Sequence, residues 1–143
     1  MMHWSAPYVG LPFRDKGDAP NGVSCWGLAV LVYREVAGLT LPTFADAFVS
    51  SAERAQIHAI AARAASAWPW SAVAAGGERD LDVVLFRRAG LVTHVGILCG
   101  PGRMLHVSSG QDSAVVDYQT GRWAPRLAGV YRHASMPEAR HVG

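Results

Sequence analysis

Ser24-Cys25-Trp26-Gly27-Leu28-Ala29-Val30-Leu31-Val32-Tyr33-Arg34-Glu35-Val36-Ala37-Gly38 is the stretch on which the fold turns. Leu28, Leu31, Val32, Glu35 and Val36 keep helical spacing, with apolar side chains dominating one face. The segment therefore predicts a mostly buried helix. Ser24 or Asn21 can cap its start, and Gly38 suits its stop. Cys25 falls in the first turn.

Downstream of Asp80 the period changes from helical to alternating. Residues 81–87, 91–99, 103–108, 114–118 and 128–133 read as strands, separated by Ala89-Gly90, Gly100-Pro101-Gly102, Ser109-Gly110 and Thr120-Gly121. Consecutive strands with short loops imply an antiparallel meander. Between helix and strands, residues 43–46 and 50–53 resemble capping boxes, and the Ala-rich stretch to residue 67 suits a surface helix. Trp68-Pro69-Trp70 breaks it, and Gly76-Gly77 marks a loop. Residues 1–22 form a loop-rich lead-in with Trp4, Tyr8 and Phe13. Helices first and sheet second is an α+β layout of helices packed on an antiparallel sheet of about five strands.

The chain has 143 residues, enough for one core, and residues 1–143 read as a single domain. Half the residues are apolar and 17% are charged, which excludes a disordered or solvating segment. A net charge of +2 does not mark a nucleic-acid binder. The start lacks a basic region followed by an apolar stretch, so no signal peptide is expected. No apolar run reaches the roughly 18 residues of a membrane span. Cys25 and Cys99 are too few for a tetrahedral zinc site, and no metal or cofactor is expected. The two could form one disulfide in principle.

A thiol attacks as thiolate. A helix N-terminus favours that form by up to about 1 kcal/mol in exposed sites. It also presents backbone N–H groups to an oxyanion. Gly27, two residues on, would let a substrate approach the backbone. An imidazole is the missing part. His94 and His106 stand in consecutive strands, and the turn between them decides whether they meet. A two-residue loop would put them on opposite faces. A three-residue loop, Gly100-Pro101-Gly102, pairs Cys99 with Arg103 and Gly96 with His106. His94 and His106 then share a face as diagonal neighbours about 7–8 Å apart at Cα. Glycines flanking Pro101 favour the three-residue loop, and small Gly96 leaves room opposite His106. The same alternation puts Cys99 on the other face, as a packed thiol. His3, His58, His133 and His141 have no flanking pattern and read as packing or solvent residues. Each feature alone is ordinary; the conjunction of helix-start Cys and paired strand histidines is what points to nucleophilic catalysis.

These residues resemble the NlpC/p60 cell-wall peptidases. The resemblance rests on Tyr8-Val9-Gly10-Leu11-Pro12-Phe13, Asn21 to Leu28, Leu81-Asp82-Val83-Val84-Leu85-Phe86, Thr93-His94-Val95-Gly96-Ile97 and Leu105-His106, in that order. It implies a reduced papain-like fold and cleavage of peptidoglycan stem peptides, often at a D-γ-glutamyl bond to a diamino acid. By the resemblance Cys25 is the nucleophile, His94 the general base and His106 its orienting partner. Tyr8 aligns with a tyrosine near the catalytic centre and would contact the oxyanion.

Two departures stand out. Many members have Asp before the nucleophile, where it helps hold the free amine of the stem peptide; Ser24 lacks that carboxylate. Many have Ser after the Cys, where this chain has Trp26. The Cys-Trp-Gly version resembles the subset of phage tails and gene transfer particles. Such an enzyme would be made in the cytoplasm, ride in a particle tail beside tail or baseplate proteins, and act on the target cell wall. Two alternatives stay open. One is a structural tail-tip plug or adaptor without turnover. The other is an amidase or acyltransferase using the same Cys–His pair on another substrate.

Overall fold

A computed structural model of the chain describes residues 3–41, 70–88 and 91–136. The helix starts where Ser24 predicts. Ser24 is extended, and its hydroxyl accepts the Gly27 N–H at 2.9 Å. One of the donors that a first turn leaves unmatched is thereby satisfied. Helix α1 runs Cys25–Val32 and continues into one π-helical stretch, Tyr33–Ala37. Gly38 ends it in the left-handed region, at φ 69°.

The expected apolar face extends right round α1 beyond its first residue, since every residue from Trp26 to Val32 is buried. Sheet residues Val83, Leu85, Val95, Ile97 and Leu105 share its core with Tyr8 and Val23 from the lead-in. A helix covered from several sides has no polar face to keep. The lead-in also carries a small hairpin, β1 (Asp18–Ala19) and β2 (Gly22–Val23), which packs on α1. Just before it, the Gly17 carbonyl accepts the Ser24 N–H at 2.9 Å. A Cβ on Gly27 would stand 1.6 Å from that oxygen. The close approach that Gly27 permits is therefore made by the chain's own backbone, in place of the substrate the sequence suggested.

The main sheet contains β3 (Trp70–Ala72), β4 (Val83–Arg88), β5 (Leu91–Leu98), β6 (Arg103–His106), β7 (Ala114–Asp117) and β8 (Leu127–His133). Their spatial order is β3-β8-β4-β5-β6-β7, antiparallel throughout. The expected meander holds for β4 to β7. It fails for β8, which returns to the open edge of β4 and so leaves β7 unpaired with it. Among the described residues the sheet has six strands, where about five were expected. The additional one is β3, which begins at Trp70 where the sequence suggested only a break. Three residues show no readable alternation; the edge of β8 makes them a strand.

Alternation along β4 and β5 divides two cores. Val83, Leu85, Val95 and Ile97 face α1. Val84, Phe86 and Leu98 meet Met104, Tyr118, Trp123 and Val130 in a second cluster. The β5–β6 connection is the three-residue loop that was expected. Leu98 pairs with Met104 and Ile97 with Leu105, and Cys99 N–H donates to the Arg103 carbonyl at 3.0 Å. Gly96 serves a different neighbour than expected: a Cβ there would lie 2.5 Å from Met104 Sδ, so the space is filled by Met104. At the start of β4, buried Asp82 accepts from Arg132 Nε and Nη2 of β8, each at 2.8 Å. The helix signals at residues 43–67, the turn at residues 89 and 90 and the tail from residue 137 lie outside the described residues.

Candidate active site

The three-residue loop has a chemical consequence. It brings His94 of β5 and His106 of β6 together, with Nε2 of His94 and Nδ1 of His106 3.0 Å apart. One ring nitrogen donates and the other accepts. The rings stand nearly perpendicular, at 87° with centroids 5.2 Å apart. Both are buried, at 2% and 5% exposure, so the bond is shielded from water.

A residue that sequence reasoning did not single out completes this corner. Trp123, just before β8, stacks on His94 with centroids 5.0 Å apart and planes at 18°. The same indole meets His106 edge-on, at 5.0 Å and 79°. Phe86 packs against Trp123 from β4 at 5.0 Å. The local signal was a tryptophan two residues after the Thr120-Gly121 turn; its partners come from strands earlier in the chain.

At the helix start, Cys25 is partly exposed and packs against the main core. Helix α1 packs on β5, the strand that carries His94. Ser24 is buried and its hydroxyl is used as the cap. Trp26 is fully buried, so its side chain is part of the core and lies away from any open surface.

Tyr8 ends a 3-10 turn, Ala6–Tyr8, and its carbonyl accepts from the Ser113 hydroxyl. Ser113 also accepts from Leu11 N–H through its hydroxyl at 2.9 Å, which straps the lead-in to the loop before β7. The Tyr8 hydroxyl donates to Glu35 Oε1 at 2.8 Å. Burial, then this carboxylate, pushes the phenol up to about 12. Serving as an oxyanion contact requires that hydroxyl to turn away from Glu35.

Cys99 is buried, and Cys25 and Cys99 form no disulfide with each other. Burial, then the Asp80 charge, pushes the Cys99 thiol up to about 11, against smaller opposing effects of Arg103 and Ser5. A thiol so placed is a poor nucleophile at neutral pH. Among the described residues no group of three or more His, Cys, Asp and Glu side chains is set to hold a metal ion. Nor is any described helix long and apolar enough to cross a membrane.

Comparison with known proteins follows the same residues. The model of the NlpC/P60 family matches residues 10–132. The chain is 25% identical over 126 residues to the murein DD-endopeptidase/LD-carboxypeptidase MepS of Escherichia coli strain K12, covering 88% of this chain and 57% of that protein. It is 25% identical over 133 residues to the gamma-DL-glutamyl hydrolase of Bacillus subtilis strain 168, covering 90% of this chain and 28% of that protein. The chain thus spans less than two thirds of these curated relatives. A crystal structure of an NlpC/P60 family protein from Bacillus cereus shares the fold, with a TM-score of 0.66 at 21% identity over 89% of this chain and 37% of that one.

Proposed function

The chain belongs to the NlpC/P60 family of cysteine peptidases, and from that premise we propose that it cleaves amide bonds in the stem peptides of peptidoglycan. The observation that carries the reading is the buried pair of His94 on β5 and His106 on β6, with β5 packed against the helix that starts at Cys25. The relatives named for murein and for gamma-glutamyl hydrolysis support the substrate class, and the bond we assign within it, a D-γ-glutamyl link to a diamino acid, rests on the resemblance of the motifs. The Cys25-Trp26-Gly27 sequence supports a setting in a phage-tail-like particle, among tail or baseplate proteins.

The chemistry follows from which atoms are already used. Nε2 of His94 is engaged with His106, so proton exchange with the thiol falls to Nδ1. The Cys25 thiolate attacks the amide carbonyl, and the oxyanion is held by the Cys25 backbone N–H at the helix start. Collapse breaks the C–N bond, and His94 gives its proton to the departing amine. Water then attacks the thioester while His94 takes its proton, releasing the acid and the free thiol. His106 keeps the ring aimed through both steps.

The test is turnover of purified muropeptides by the wild type and Cys25→Ala, read by mass spectrometry. Loss of product with Cys25→Ala is the expected outcome. Equal products from both proteins would overturn the thiol mechanism. Products cut at another bond would correct the linkage.

A further inference from the structure

The reading above uses Cys25, His94 and His106 and leaves Trp123 without a part. Its placement is specific. Trp123 is 5% exposed and lies in the connection from β7 to β8, directly before the 3-10 turn Ala124–Arg126. Its ring face covers His94, and His106 meets it edge-on. Phe86, the register partner of His94 on the neighbouring strand, closes on the indole at 63°. The Arg122 guanidinium lies over the same indole, 5.2 Å from its centroid.

We propose that Trp123 is a positioning residue for the thiol chemistry: its indole fixes the plane of His94 and favours the protonated form of that ring when a thiolate stands opposite. This rests on the Cys25–His94 reading and adds a residue to it. The physical reason is twofold. A bond through Nε2 by itself leaves an imidazole able to rotate about that bond's direction. A parallel stack removes that freedom, so Nδ1 keeps one aim. The ring face is also electron-rich and attracts a cation set over it. An imidazolium formed when Cys25 ionises therefore gains from the indole, which raises the share of the thiolate–imidazolium pair. The charged and titratable groups set against this arrangement are His106 beside His94 and Arg122 over the indole.

The experiment reads the thiol directly and needs no substrate. The rate of iodoacetamide alkylation of Cys25 is followed from pH 4 to 10 in wild type, Trp123→Leu, Trp123→Phe and His94→Gln, each carrying Cys99→Ala. Thermal melts run in parallel. Trp123→Leu is expected to lower the alkylation rate near pH 6 by about 3- to 30-fold, the range that a cation–π contact implies. Trp123→Phe, which keeps a ring face, should recover part of that loss at a similar melting temperature. A normally folded Trp123→Phe and Trp123→Leu pair with the wild-type pH profile would overturn the proposal, provided His94→Gln depresses the rate. If His94→Gln also leaves the profile untouched, the Cys25–His94 reading falls and this inference falls with it. If Trp123→Leu does not fold, the comparison of wild type with Trp123→Phe decides: a shifted profile supports the role, and an identical one removes it.

Discussion

At the residue scale, Gly27 separates local preference from tertiary demand. Alanine is the better helix former by about 1 kcal/mol, so propensity alone expects Gly27→Ala to stabilise. The Gly17 carbonyl would stand 1.6 Å from the new methyl group, and backbone cannot move aside as a side-chain tip can. We expect Gly27→Ala to destabilise by about 2–3 kcal/mol, seen as a lower thermal midpoint. A stabilised variant would show that the β1–β2 region yields at no cost. His106 offers a second test at this scale. Replacing it with Ala removes the partner of Nε2 and should lower kcat by about 100-fold or more, with a smaller change in KM. His106→Asn, which can still hydrogen-bond, should keep more activity than Ala. The helix start at Cys25 and the pairing of His94 with His106 were legible in the sequence, because a cap, a strand period and a turn length are local properties. Trp123 was not, because nothing near Gly121 announces two imidazoles from other strands.

At the element scale, the Ser24 cap holds the helix start at Cys25 and the Ser113 strap holds the lead-in that carries Tyr8. Ser24→Ala should cost about 1 kcal/mol, or roughly 3 °C in melting temperature, by uncapping α1. A larger loss of activity than of stability would mean that the cap also aims the Cys25 N–H. The buried thiol on the loop after β5 contributes to stability in a pH-dependent way. Cys99 ionises in the unfolded chain near 9.0 and in the folded one only near 11. Folding thus favours the neutral thiol. Its contribution is fully present below pH 9 and is lost as pH rises toward 11. Tyr8, raised from 10.0 to about 12, acts with the same sign at still higher pH. The urea midpoint is expected to hold up to pH 9 and to fall above it, and Cys99→Ala should flatten the first part of that decline. An unchanged slope in Cys99→Ala would show that Cys99 does not carry it.

At the scale of the whole molecule, β8 ties the fold together. It closes β4, carries β3 on its other edge and delivers Arg132 to buried Asp82. Asp82 also accepts the Arg79 N–H at 2.9 Å, so its carboxylate joins the approach to β4 with β8. Asp82→Asn should cost about 3 kcal/mol, since Arg132 then loses the anion it grips. The melt should show that loss as one cooperative transition, because the two strands lie in the same sheet. Two transitions would mean that β3 and β8 unfold apart from the rest.

The amino-acid sequence by itself determined the α+β order, the helix start at Cys25 and the turn that joins His94 to His106. Capping, alternation and loop length act between residues close in the chain, so they can be read from it. Tertiary structure alone decided the return of β8 to β4, the short β3, the burial of α1 on every side and the indole over the histidines. It also turned Tyr8 toward Glu35, and joined Tyr8 to Ser113 across 105 positions. Contacts over such distances depend on which edges and faces remain open after the first elements pack, and no local pattern records that.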